Sequence, residues 1–350
     1  MTDAPGPLEP LGPTDRPILD RPVFERLTMA HRRELKLHCY RMMGSLHEAD
    51  DLVQETFLNA WRGRAQFDGR GSPRGWLYTI ATNACLNAIK ARVTAHRVLE
   101  QPDRPPTEGR AAAGPAAELS WLEPYPDVEL PDFVDGEPGP EARYETSEAI
   151  RLAFVAAIQL LPPRQRASLL LCDVLGWSAA ETAQLLGGST ASINSALQRA
   201  RATLARHYPA GRPLQRSQPN PEEGLLLERY ISAWRAANLD GFIALLREDA
   251  TYHMPPWLDW YHGRPAIRGF FDTVWGNFAG YFPVTTRANG LPAVAIYARR
   301  HQEPEWRAQS LHVIEPADGG IASLTVYVGP LGPDLFAAFG LPTVWPEPEA

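Results

Sequence analysis

Residues 161–204 run LPPRQRASLLLCDVLGWSAAETAQLLGGSTASINSALQRARATL. Ser178 stands three residues before Glu181, the spacing of a capping box, and Ala183, Leu185 and Leu186 follow at helical intervals. Gly187 and Gly188 mark a tight turn. Ser189 is placed to cap a second helix in which Ile193, Leu197 and Leu204 form a buried stripe. The other face carries Thr190, Ser192, Asn194, Ser195, Gln198, Arg199, Arg201 and Arg206. A second helix held by a first suits the major groove: Asn and Gln read bases, while hydroxyls and guanidinium groups grip phosphates. The competing reading is an ordinary helical hairpin with a solvated basic face.

Upstream, helical spacing runs from about Pro22 to Arg97. A helix is expected over 46–64, with Val53, Phe57, Ala60 and Trp61 on one stripe and Asp51, Gln54, Glu55 and Asn59 largely outside it. Pro73 suits the first turn of another helix through Trp76, Ile80, Ala84 and Ile89. Residues 98–141 hold nine prolines and no sustained period, which marks a linker, although WLEPYPDVEL is apolar enough to dock. Helical patterning resumes from about Tyr144 to His207, followed by a short linker at 209–221. The last block opens with an amphipathic helix. It then shows the β-rich runs ATYHM, PVTTRA, AVAIYA, WRAQSLHVIE and IASLTVYVG, with a helix near 264–278.

The 350 residues suit two or three domains, and no apolar run is long enough to span a bilayer. The proline-rich first 20 residues predict a flexible tail without the pattern of a secretory signal. Cys39, Cys85 and Cys172, an odd set without a CxxC pair, argue against a disulfide scaffold or a thiolate zinc site. The expectation is a cytoplasmic protein with no metal, cofactor or membrane partner. The net charge of -7 is misleading for a nucleic-acid binder. Residues 100–145 alone carry 12 Asp/Glu against 3 Lys/Arg, so the remainder of the chain is slightly basic.

Two separated motifs resemble the sigma-70 family, and specifically its small extracytoplasmic-function members. ADDLVQETFLNAW (49–61) with RGWLYTIATNACLNAIKAR (74–92) looks like sigma region 2, and 161–204 looks like sigma region 4. The resemblance covers roughly residues 22–207 and implies a bacterial initiation factor that binds core RNA polymerase and directs it to promoter DNA. It implies that Asp51, Gln54 and Glu55 meet the clamp helices of the polymerase β′ subunit. The segment Phe67–Arg92 would recognise and melt the −10 element. Phe67 and Trp76 are then candidate stacking groups, Asn83 and Asn87 base readers, and Arg70, Arg74, Lys90 and Arg92 phosphate ligands. A tryptophan on this stripe is more often core, which is the competing reading of Trp76. Residues 150–175 would meet the β flap, and Thr190, Ser192, Asn194, Ser195, Gln198, Arg199 and Arg201 would read the −35 element. The acidic linker takes the place of the family's segment that threads toward the active site. Its charge reads either as a mimic of RNA or as a solvated spacer.

The C-terminal block resembles the SnoaL-like (NTF2-like) cone fold carried by a subgroup of these factors, and WLEPYPD looks like a motif of that subgroup. Such a cone encloses an apolar pocket. His253, Trp257, Tyr261, His262, Trp275, His312 and Tyr327 are its candidate lining, and a small-molecule ligand and a separate anti-sigma protein are further candidate partners. A histidine or Asp272 acting as a general base would make the cone an enzyme; contact with regions 2 and 4 would make it a regulator.

The expected architecture is multidomain: two all-α domains and an α+β cone. A tail spans 1–21, region 2 spans 22–97, an acidic linker 98–143, region 4 144–208, a second linker 209–221 and the cone 222–345. The function expected is that of an alternative sigma factor, non-enzymatic, modulated by its cone. The rivals are a ligand-responsive helix-turn-helix repressor and a sigma factor with a catalytic cone.

Overall fold

The computed structural model describes residues 20–67, 72–91, 97, 105–108, 120–131, 149–207 and 221–345. Helix α1 (Arg21–Met43) starts at Asp20, whose carboxylate accepts from the Val23 amide, and stops at Gly44 in the left-handed region. A Cβ on Gly44 would lie 2.9 Å from Leu122 Cδ1, so both the turn and the incoming linker require glycine there. Ser45 caps α2 (Leu46–Gly63). The expected stripe is present: Val53 and Ala60 are buried, Phe57 packs against the core, and Trp61 meets the Phe24 ring edge-on at 5.1 Å. In α3 (Pro73–Ala91) the deepest residues are Leu77, Tyr78, Ala81, Thr82 and Cys85, while Trp76 and Ile80 are partly buried. The buried front is shifted from the expected stripe because α3 packs on α1, α2 and the second helical unit together.

That unit comprises α4 (Leu152–Gln159), α5 (Pro163–Leu169), α6 (Ala179–Leu186) and α7 (Thr190–His207). Between α5 and α6 the chain continues through a π turn, Leu170–Val174, closed by the Leu175 amide on the Leu170 carbonyl at 3.0 Å. The Ser178–Glu181 capping box forms in both directions, and Gly187 ends α6 with φ 65°. Ser189 and Ser192 exchange amide-to-hydroxyl bonds at 3.2 and 3.1 Å, so the turn into α7 is capped as expected.

The C-terminal unit begins with α8 (Pro221–Arg235) and α9 (Leu239–Ile243). Strands β1 (Leu246–His253) and β2 (Trp260–His262), helix α10 (Arg264–Val274), then β3 (Gly280–Ala288), β4 (Leu291–Arg299), β5 (Trp306–Ala317) and β6 (Gly320–Tyr327) follow. Helix α11 (Leu331–Ala338) and β7 (Val344–Trp345) end the described chain. The sheet order is β2-β1-β6-β5-β4-β3, with β1 and β6 parallel, the other pairs antiparallel, and β7 on β5. The five β-rich runs of the sequence are all strands. The two-residue β7 and three-residue β2 are too short to leave an alternating pattern.

Alternation along β4 divides two cores. Val294, Ile296 and Ala298 join the inner core under α8, α9 and α10. Ala293, Ala295 and Tyr297 join an outer core that continues without a break through α11, residues 122–125 and the helices of both N-terminal units. The three units therefore pack as one body. Linker residues 120–131 lie at its centre, with Trp121, Leu122 and Tyr125 buried. Burial of Leu122 alone contributes roughly 1.5–3 kcal/mol. For this stretch the structure corrects the solvated-spacer reading.

Candidate polymerase- and DNA-facing surfaces and the junction behind them

Asp51, Gln54 and Glu55 are exposed on the outer face of α2. Asp51 lies 3.7 Å from His47, and the Asn59 amide reaches Glu55 at 3.5 Å. Leu58, 56% exposed one turn beyond, belongs to the same face and was missed in the sequence because a single leucine carries no pattern. Phe67 and Trp76 are brought together, their rings 5.0 Å apart and partly buried. Asn83, Asn87 and Lys90 are exposed on one side of α3, whereas Arg70 and Arg92 lie outside the described residues. Arg74 does not stand free. Its guanidinium bonds Glu34 at 2.7 Å and covers the Tyr78 ring at 4.9 Å, so in this arrangement it ties α1 to α3.

On α7, Thr190, Asn194, Ser195, Gln198 and Arg199 are exposed on one face. Ser192 is exposed too, but its hydroxyl is used in the cap, donating to the Ser189 carbonyl at 2.6 Å. Arg201 makes two bonds to Asp173 in the π turn, at 2.9 and 2.6 Å. From α5, Arg164 donates to the carbonyls of Leu186 and Gly187, fixing the turn that aims α7.

The seven cone candidates do not converge. His312 is fully buried, between the Tyr230 hydroxyl (2.6 Å from Nδ1) and Ser310 Oγ (2.7 Å from Nε2). Burial holds its pKa down at about 3, so it is a neutral core histidine. His253 stacks on Trp260 at 5.5 Å, Tyr261 packs on Phe270 at 4.9 Å, and His262 is exposed. Trp257 is partly buried beside the inner core, and Trp275 donates to the Ala237 carbonyl at 2.9 Å. Tyr327 belongs to the outer core, on the other side of the sheet. Tyr230, Trp234, Phe242 and Phe271 fill the cone's interior. A cavity of about 10 Å³ beside α8, room for a single water, is lined by none of the seven. Asp272, the other candidate base, is exposed and 3.8 Å from Arg268.

Behind these surfaces lies a junction built around WLEPYPDVEL, the linker segment apolar enough to dock, with partners that its local pattern did not announce. The Glu123 carboxylate accepts from Ser45 Oγ at 2.9 Å and the Leu46 amide at 2.7 Å, so a linker residue adds to the cap of α2. Arg97 bridges Glu48 (3.0 Å) and the Trp121 carbonyl (2.8 Å). Tyr40 donates to the Glu123 carbonyl at 2.7 Å, and its ring lies 4.8 Å from that of Tyr125. Lys36, 8% exposed, pairs with Asp50 of α2 at 2.9 Å and linker Glu129 at 3.3 Å. Asp127 accepts from the Gly290 amide at 2.9 Å and Arg287 at 3.2 Å, while burial raises its carboxyl above the usual range. Farther along the linker, the Thr107 amide donates to the Trp260 carbonyl of β2 at 2.6 Å.

The helical units also meet directly. Arg166, buried in α5, donates to the Met42 carbonyl of α1, to Gln159 Oε1 at 2.6 Å, and to the carbonyls of Gln159 (2.7 Å) and Leu161 (3.3 Å). The Gln159 amide reaches the Arg41 carbonyl at 3.0 Å. Arg41 is itself buried among Tyr40, Tyr78 and Tyr125 and donates to the Ala149 carbonyl at 3.0 Å. It has no carboxylate partner among the described residues, and burial lowers its pKa to about 10. The rings of Tyr78 on α3 and Trp177 ahead of α6 are 6.1 Å apart.

Comparison with known proteins agrees with this architecture. Sigma-70 region 2 matches residues 27–94, Sigma-70, region 4 matches residues 151–204, and a SnoaL-like domain matches residues 227–324. A helical region 2, a helix-turn-helix region 4 and a mixed-sheet cone in this order define a sigma factor with a fused third domain. The chain is 42% identical over 330 residues to the ECF RNA polymerase sigma factor SigG of Mycobacterium tuberculosis, covering 91% of this chain and 84% of that protein. It is 30% identical over 223 residues to SigJ of the same species, covering 64% of this chain and 62% of that one. The SigJ crystal structure shares the fold over 93% of this chain and 100% of its own, with a TM-score of 0.55 at 21% identity. The chain belongs to the ECF RNA polymerase sigma factors. Among its described residues no helix is long and apolar enough to cross a membrane.

Proposed function

We propose that the arrangement described is the closed form of this sigma factor, and that regions 2 and 4 separate before promoter and polymerase are engaged together. One observation carries this reading: region 2 and region 4 are in contact, with Tyr78 and Trp177 6.1 Å apart. Elements near −10 and −35 lie about 85 Å apart along B-DNA at roughly 3.4 Å per base pair, beyond the reach of two units in contact. Phe67, Trp76, Asn83, Asn87 and Lys90 would serve the first element, and Thr190, Asn194, Ser195, Gln198 and Arg199 the second. Arg201, paired with Asp173, suits a phosphate more than a base.

The cone acts in this reading by contact. Its interior is filled with aromatic rings and its outer sheet face is continuous with the core of the sigma regions, which supports regulation over catalysis. The buried guanidinium of Arg41 supports a closed form that can open, because separation returns that charge to water. A distance measurement by energy transfer between labels at Asn83 and Arg199 is the test. The separation is expected to increase when core polymerase binds; an unchanged distance in the complex overturns the closed-form reading.

The exposed acidic face of α2 is assigned to core polymerase. Asp51→Arg is expected to weaken association with core at least tenfold, since it sets a cation against a basic partner, while leaving the exposed site's fold intact. Undiminished co-purification with core would remove Asp51 from the interface.

A further inference from the structure

We propose that Asn289 couples the cone to region 2, the linker and region 4, so that their docking is made and lost as one event. The inference deepens the closed-form reading and rests on it for its functional consequence, though not for its structural one. Asn289 and Gly290 form the two-residue turn between β3 and β4, with φ of 53° and 73° and Ala288 paired to Leu291. An Asn-Gly turn of this kind needs no tertiary partner, and a hairpin tip normally faces water. Asn289 is fully buried.

Its polar groups are divided among three parts of the chain. The side-chain Nδ2 donates to the Tyr40 hydroxyl on α1 at 3.1 Å and to the Ile150 carbonyl ahead of α4 at 2.7 Å. Oδ1 accepts from the amide of linker Tyr125 at 2.7 Å, and the Asn289 amide donates to the Tyr125 carbonyl at 2.9 Å. The orientation of the carboxamide is fixed by chemistry. A backbone amide can only donate and a backbone carbonyl only accept, so the oxygen faces Tyr125 and the nitrogen Ile150.

A planar carboxamide cannot follow one partner and keep the others. Withdrawal of region 4 would strand an Nδ2 hydrogen, and withdrawal of the linker would strand Oδ1 with the Tyr125 amide, in a site closed to water. An unmet buried group costs more than a hydrogen bond returns, so partial undocking is disfavoured against complete undocking. The neighbouring ties, Asp127 to Gly290 and Arg287, each join only the linker and the cone.

The test is amide hydrogen exchange on the full chain with Asn289→Gly, which keeps the turn because glycine adopts the same left-handed backbone. Asn289→Asp, which also tolerates the turn but sets a carboxylate against the Ile150 carbonyl, serves as a second variant. Residues 121–130, 149–159 and α1 around Tyr40 are expected to exchange about tenfold faster together, while β4–β5 pairing inside the cone stays protected. Acceleration confined to 121–130, or to the turn itself, overturns the coupling. Transcription from a cognate promoter with core polymerase is the separate readout and is expected to rise in the same variants. Joint loss of protection without a rise in transcription would uphold the coupling and overturn the closed-form reading.

Discussion

Arg166→Met is expected to lower the stability of the docked chain by about 3 kcal/mol, read as a lower urea midpoint, with early exposure of the α1–α5 contact. The acceptors of its guanidinium include four among the described residues: the carbonyls of Met42, Gln159 and Leu161, and Gln159 Oε1. Methionine fills a similar volume but satisfies none of them, and each buried group left unmet costs roughly 1–3 kcal/mol. Part of this is offset because a buried cation has been removed. The α1 C-terminus bears the loss most directly, since the Met42 carbonyl is one of the last in its helix. Arg166→Lys retains charge but cannot span the four acceptors, so it should fall between methionine and the native chain. A midpoint unchanged in both variants would show that the two sigma regions are held by other contacts.

Acid is expected to weaken the fold before its carboxylates are neutralised. His38, buried beside Arg41 and 2.9 Å from Thr82 Oγ1, and His312 both have pKa values held down to about 3, chiefly by burial. Above pH 6.5 neither the folded nor the unfolded chain protonates them, and their neutral packing is fully available. Below pH 6.5 the unfolded chain takes up protons that the fold refuses. Stability then falls by about 1.4 kcal/mol per pH unit for each histidine, until the folded groups titrate near pH 3. By pH 5 the two together withdraw about 4 kcal/mol. Urea unfolding at pH 7.5 and pH 5.0 measures the difference. His312→Asn, which can still hydrogen-bond the Tyr230 hydroxyl, should roughly halve it, and equal midpoints at the two pH values would refute the assignment.

The sequence made region 4 legible because its signals are local. The Ser178–Glu181 box, the glycine turn and the Ile193–Leu197 stripe all act within one or two helical turns, and each appears as expected. Region 2 was readable for the same reason, though α3 is buried on a wider front than one stripe implies because the second helical unit also covers it. The cone's strands were legible and its pocket was not. His312 and Tyr327 sit on adjacent paired strands, yet one faces the inner core and the other the outer, and only the register decides which. Nothing in a strand's own pattern says whether aromatic side chains will leave a space or fill it. The linker was the hardest part. WLEPYPDVEL was recognisably able to dock, but its seat is built from Gly44, Ser45 and Asn289, the last of them 164 residues away from Tyr125. The Asn-Gly pair announces a hairpin turn and says nothing of what the turn will be pressed against.

Synthesis proceeds from the N-terminus, and that gives the β3–β4 turn a place in time. Region 4 ends at His207, and Asn289 follows 82 residues later. At roughly 5–20 residues per second, the ribosome needs about 4–16 s to cross that interval. Throughout it, each newly made molecule carries complete regions 2 and 4 with no cone to hold them. On the closed-form proposal, every copy therefore passes once through an unguarded youth, in which core polymerase could capture it before the cone exists to restrain it. The fraction that escapes in this way would depend on the pace of translation and the supply of free core, quantities outside the molecule's own equilibrium.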